Sequence, residues 1–243
     1  MTYEPPGAGR YWGQPLYGPG TAAEIDAGLR QYMVRVYSYM AAGLAISGLV
    51  AYLAASTGFY QQIAGTPLLW IVMLAPLGMV LLLGFGINRM SIGGAFLAFW
   101  IFAALMGLSL ASIFLVFTGA SIARVFFISP ATFAAMSLYG YTTGRDLSRF
   151  GAFLFMGLIG IVIAGLVNIF VGSNALQFAI SVIGVIVFTG LTAYDTQRIK
   201  QVYLANDPAE MTTKKAIVGA LTLYLDFINL FVMLLQLTGQ RRD

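Results

Sequence analysis

The chain contains neither cysteine nor histidine. No disulfide braces it and no thiolate can act as a nucleophile. Cys/His zinc sites and His-ligated haem are likewise excluded. Charge is also scarce: 9% of the 243 residues are Asp, Glu, Lys or Arg, against 59% hydrophobic, whereas a soluble domain carries roughly a quarter charged residues. Because the deficit extends along the whole chain, it marks an integral membrane protein whose first partner is membrane lipid. The net charge of +4 is too small to signal nucleic acid. Chemistry is left to carboxylates, cationic side chains, hydroxyls, amides and backbone. A metal would be a hard, oxygen-seeking cation.

Residues 1–20 are polar and carry Pro5, Pro6, Pro15 and Pro19, the composition of a disordered cytoplasmic tail. The remainder, 21–243, reads as a single all-α domain. Thr21 and Glu24 fit a capping box that opens a surface helix running into the first span. Apolar runs of roughly 20 residues predict seven spans, at about 32–55, 67–88, 92–116, 122–142, 150–171, 175–197 and 213–238. The barely polar connection 117–123 reads as a possible re-entrant kink, which must be buried in protein or face water. Small residues at four-residue spacing, Ala103/Gly107/Ala111 and Gly160/Ala164, predict close helix approaches.

Lys and Arg set the expected orientation. Arg10, Arg30, Arg35, Arg89, Arg145, Arg149, Arg198, Lys200, Lys214 and Lys215 fall on one side, whereas Arg124, Arg241 and Arg242 fall on the other. This asymmetry predicts a multi-pass cell (inner) membrane protein with a cytoplasmic N-terminus and an external C-terminus.

Two aspartates stand out against this background, since a carboxylate in apolar surroundings is costly and usually functional. Asp207, Pro208 and Glu210 read as the cap and first turn of the seventh span. At ~1.5 Å per residue, Asp226 then lies roughly 16 Å beyond Lys215, near mid-membrane. Thr222, Asp226, Asn229, Met233 and Gln236 recur at helical spacing as one polar stripe. On the sixth span Thr189, Thr192 and Asp195 form a shorter stripe. Such stripes face the bundle interior or a water-filled path, which makes Thr189, Thr192, Thr222, Asn229 and Gln236 pore-lining candidates. If Asp195 and Asp226 meet, they share a proton and titrate together, a pH-sensing and gating pair. Arg89, at the same end of the second span, is the expected cationic latch; Arg198 and Lys200, just past Asp195 and able to snorkel to the headgroups, are the other candidates. Each aspartate could instead simply lock helices through a hydrogen bond.

The segments Phe188-Thr-Gly-Leu-Thr-Ala-Tyr-Asp-Thr-Gln-Arg-Ile-Lys200 and Leu221-Thr-Leu-Tyr-Leu-Asp-Phe-Ile-Asn-Leu-Phe231, with Arg89-Met-Ser-Ile-Gly-Gly94, resemble the Bax inhibitor-1 (transmembrane Bax inhibitor motif) family in its bacterial branch. The resemblance implies seven helices with the seventh central and surrounded by the other six. It also implies a pH-sensitive calcium leak channel controlled by an aspartate pair at Asp195 and Asp226 with an arginine at Arg89. An acidic residue found mid-way along the second helix of some relatives has no counterpart at 67–88. The carboxylates with Asn229, threonine hydroxyls and water would form a loose, transient calcium site. Calcium is then the permeant ion and no resident cofactor is expected. Two alternatives remain: a non-conducting scaffold or secondary transporter, and, remotely, an intramembrane aspartyl protease. The chain is not expected to be an enzyme, because Asp226 lacks a Gly-x-Gly-Asp context and no Pro-Ala-Leu triplet occurs.

Overall fold

In a computed structural model of the protein, which describes residues 22–242, the chain is all helical apart from one isolated bridge. Its helices are α1 Ala22–Ser56, α2 Phe59–Ile63, α3 Pro67–Gly86, α4 Ile92–Val116, α5 Gly119–Thr142, α6 Ser148–Val171, α7 Asn174–Val202 and α8 Ala209–Thr238. All but α2 are long and apolar enough to cross a membrane, so the chain is a seven-span membrane protein. The expected disordered tail and Thr21 lie outside the described residues.

Local chemistry sets the helix ends. Ser91 opens α4 by accepting the Gly94 N–H at 3.1 Å. Thr118 does the same for α5 with Ser121, and Ser173 for α7 with Leu176. Each cap satisfies an N–H that the first turn leaves open. At the end of α6, Gly172 takes φ +63°, a backbone conformation glycine adopts without strain.

The expected loop at 117–123 shrinks to two residues. The chain's last residues satisfy its backbone: Thr118 N–H donates to Gln240 O at 3.0 Å, Arg242 N–H to Val116 O at 2.9 Å, and Gln240 N–H to Ser121 Oγ at 2.9 Å. Phe117 and Arg241 pair in an antiparallel bridge. The broken backbone is thus buried in protein without a re-entrant kink.

α8 is the most buried span. It packs against α7, α1, α5 and α4, with a lighter contact from α3. α6 leans on α7, and α3 on α4. Lipid supplies no hydrophobic drive between helices, so close packing and interhelical hydrogen bonds must hold the bundle. At Gly107 a Cβ would come within 2.5 Å of Ser47 O, so the α1 and α4 backbones touch along the Ala103/Gly107/Ala111 seam. Gly160 differs: it is exposed, with nothing within 4 Å, and makes no close approach. Ser47 Oγ lies 2.7 Å from Tyr224 Oη and 2.6 Å from Ala103 O, tying α1, α8 and α4 together deep in the core. A second chain, Tyr37 Oη–Ser137 Oγ–Thr196 Oγ1 at 2.6 and 2.9 Å, joins α1, α5 and α7.

Candidate functional site

α7 and α8 run side by side, joined by residues 203–208. The expected cap at Asp207 is not formed. Pro208 occupies the N-cap position, and the Asp207 carboxylate instead pairs with Lys215 two turns into α8. An ammonium is a stronger partner for a carboxylate than a backbone N–H.

This pairing of helices brings Asp195 and Asp226 together. Both side chains are buried, at 9% and 5% exposure, and both line one cavity between these helices. Carboxylates only accept, so a bond between two of them needs a proton on one. Oδ2 of Asp226 has no donor from any described residue.

Two cavities meet at this pair. The first, of about 330 Å³, lies at the Lys/Arg-rich end between α1, the end of α3, α7 and α8. The second, of about 540 Å³, lies between α6, α7 and α8, with Phe155, Leu158, Phe188 and Leu191 among its apolar walls. Asp195, Arg198 and Thr222 line both cavities. Asp226 and Asn229 line the second alone.

The other predicted residues divide. Thr222 and Asn229 do sit beside the pair, on the cavity side of α8. Thr189 is half-buried and lines neither of these cavities. Thr192 is fully buried and donates to Phe188 O at 2.8 Å, so its hydroxyl belongs to its own helix. Gln236 accepts from Gln177 Nε2 at 2.6 Å, and Asn168 Nδ2 donates to Gln177 Oε1 at 3.1 Å. These amides tie α6, α7 and α8 at the end opposite the Lys/Arg cluster.

Arg89 does not reach the pair. α3 finishes in a 3₁₀ turn, Ile87–Arg89, that buries Ile87, turns Asn88 toward the first cavity and leaves Arg89 exposed. A 3₁₀ turn advances about 120° per residue, not the 100° of an α-helix, so extrapolating the α3 face misplaces its last side chains. Arg89 forms no ion pair with either aspartate. The guanidinium whose charge acts on Asp195 is that of Arg198. Arg198, one of the two other cations expected near Asp195, lies three residues past it, on the next turn of α7.

Among the described residues no group of three or more acidic, His or Cys side chains is placed to hold a metal ion. Two carboxyls with an amide and a hydroxyl fit a passing hard cation better than a tightly bound one, since calcium takes about six to eight oxygens.

A family profile described as Inhibitor of apoptosis-promoting Bax1 matches residues 29–243. An uncharacterized protein of Rickettsia prowazekii is 49% identical over 220 residues, covering 90% of this chain and 93% of that one. The inner membrane protein YbhL of Escherichia coli K12 is also 49% identical over 220 residues, covering 89% and 94%. A Streptococcus pyogenes membrane protein is 35% identical, covering 89% and 96%.

Proposed function

Because the chain belongs to the Bax inhibitor-1 family, we propose that it is a proton-sensitive cation leak of the inner membrane, with calcium as the fitting ion. The N-terminus would lie in the cytoplasm. The observation that carries this reading is the buried carboxyl pair, with Asp195 on the wall of both cavities and Asp226 on the second. One cavity opens at the Lys/Arg-rich end and the other penetrates between α6, α7 and α8. Asp195, Arg198 and Thr222 stand between them, with Asp226 facing the second.

In mechanism, the proton shared by Asp195 and Asp226 holds α7 against α8 and lowers the negative charge facing a cation. Losing it sets two carboxylates against each other at short range, which favours separation of the helices. It also leaves oxygens free to replace part of a cation's water shell. Thr222 and Asn229 offer further oxygens. Loose coordination suits transit, because an ion must leave as readily as it binds. YbhL is named as an inner membrane protein, which supports the location.

The test is calcium uptake into liposomes holding the purified protein, followed against pH, for wild type, Asp195→Asn and Asp226→Asn. The expected result is flux that depends on pH in wild type, with that dependence flattened in both variants. Absence of flux at any pH would favour the scaffold reading. Flux untouched by both substitutions would remove the pair from the mechanism.

A further inference from the structure

The first cavity has a composition that a cation path does not call for. Arg198, Lys214 and Lys215 line it together with Asn88, Tyr32 and Asp195. A cation travelling toward Asp195 through this opening meets three positive side chains, two of them paired with carboxylates of Glu210 and Asp207.

Not all of that positive charge is neutralised internally. Lys214 is 8% exposed and pairs with Glu210 at 2.8 Å. Lys215 pairs with Asp207 and donates to Val202 O at 3.0 Å. An ammonium carries three N–H donors, so two on Lys214 and one on Lys215 remain. Arg198 is exposed, takes part in neither of the two ion pairs among the described residues, and has five donors in a planar fork. Asn88 adds an amide at the opposite wall. A concave site rich in N–H donors, walled by apolar stretches of α3 and α8, and placed where cationic side chains meet the headgroup layer, fits an oxyanion.

We infer that this cavity binds a phosphate group of net negative charge, either the phosphodiester of an anionic lipid headgroup or free phosphate. Arg198 is the fork that grips it, and Lys214 and Lys215 flank it. A seated phosphate screens Arg198, which is in neither ion pair, and gives the approach to Asp195 the sign a cation needs. The inference does not require the leak reading, since binding is measured without flux.

The experiment is isothermal titration of the full chain in a neutral detergent. The titrants are short-chain phosphatidylglycerol, short-chain phosphatidylcholine (whose choline cancels the phosphate charge) and inorganic phosphate. Arg198→Gln is the probing variant. Arg149→Gln, an exposed arginine at the same end outside the cavity, is the control. The expected result is saturable binding of phosphatidylglycerol, weakened at least tenfold by Arg198→Gln, unchanged by Arg149→Gln and absent for phosphatidylcholine. The same pattern with inorganic phosphate identifies the free anion as the ligand. If Arg198→Gln does not yield folded protein, Lys215→Gln takes its place with the same expectation. No binding of either anion, or binding weakened equally by Arg149→Gln, overturns the inference.

Discussion

Gly140→Ala should loosen the bundle and disturb the carboxyl pair together. α5 and α7 meet backbone to backbone there: a Cβ on Gly140 would stand 2.1 Å from Ala193 O and 2.9 Å from Ala193 Cα. Ordinary contact begins near 3.4 Å, and a backbone carbonyl cannot swing aside as a side chain can. The two helices must therefore part by about 1 Å, an overpacking that costs ~1–3 kcal/mol. The separation also strains Ser137 Oγ–Thr196 Oγ1, 2.9 Å long on the same interface. A loss of 2 kcal/mol corresponds to a fall of roughly 4–8 °C in the unfolding midpoint of a chain this size. Ala193 lies two residues before Asp195, so the shift also misaligns Asp195 with Asp226 and should blunt the pH dependence of calcium flux. The assay is thermal unfolding in detergent by circular dichroism, with liposome flux on the same preparation. Gly160→Ala supplies the contrast. Gly160 is inside α6, exposed and without neighbours within 4 Å, so alanine there should stabilise by ~0.5–1 kcal/mol through helix propensity. If Gly140→Ala melts at or above the wild-type temperature, or the two variants melt alike, the contact between α5 and α7 is not as described.

Other outcomes follow from single contacts. Tyr224→Phe leaves the buried Ser47 hydroxyl without its 2.7 Å partner and should destabilise by ~0.5–1.5 kcal/mol, read as a lower melting point with flux retained. Gln236→Ala breaks the amide tie to Gln177 and should lower stability by roughly 0.6–2 kcal/mol while leaving flux unchanged; a drop in flux at unchanged stability would restore Gln236 to the ion path. Removal of residues 239–243 strips the partners from the backbone at 116–121, so limited proteolysis should cut there in the truncated chain and not in the intact one.

The spans were legible because membrane thickness fixes their length: the third was expected at about 92–116 and α4 is Ile92–Val116. The polar stripe on the last span was legible in part. Periodicity places Thr222, Asp226 and Asn229 on one face, and that face does line a cavity. Periodicity says nothing about neighbours, however. Met233, in the same stripe, packs against Gly184, and Gln236 is held by an amide on α7. Thr192 and Thr222 both bond to the carbonyl four residues back, yet Thr222 lines both cavities and Thr192 is fully buried and lines neither, a difference set by neighbouring helices that sequence spacing does not show. Arg89 was placed by depth alone, and the final 3₁₀ turn changed its direction. The C-terminal pairing with residues 116–121 joins positions more than a hundred residues apart through backbone groups, which leave no side-chain pattern to read.

Gln197 sits two residues past Asp195 and holds the 143–147 connection with both ends of its amide: Oε1 accepts the Leu147 N–H at 2.8 Å and Nε2 donates to Arg145 O at 2.8 Å. That connection is a needle on a dial. Were α7 to turn about its axis, Gln197 would carry the connection 143–147 with it. A spin label or fluorophore at Arg145 would report the state of the carboxyl pair without touching it, and a soluble protein that clasped this segment would hold α7 still.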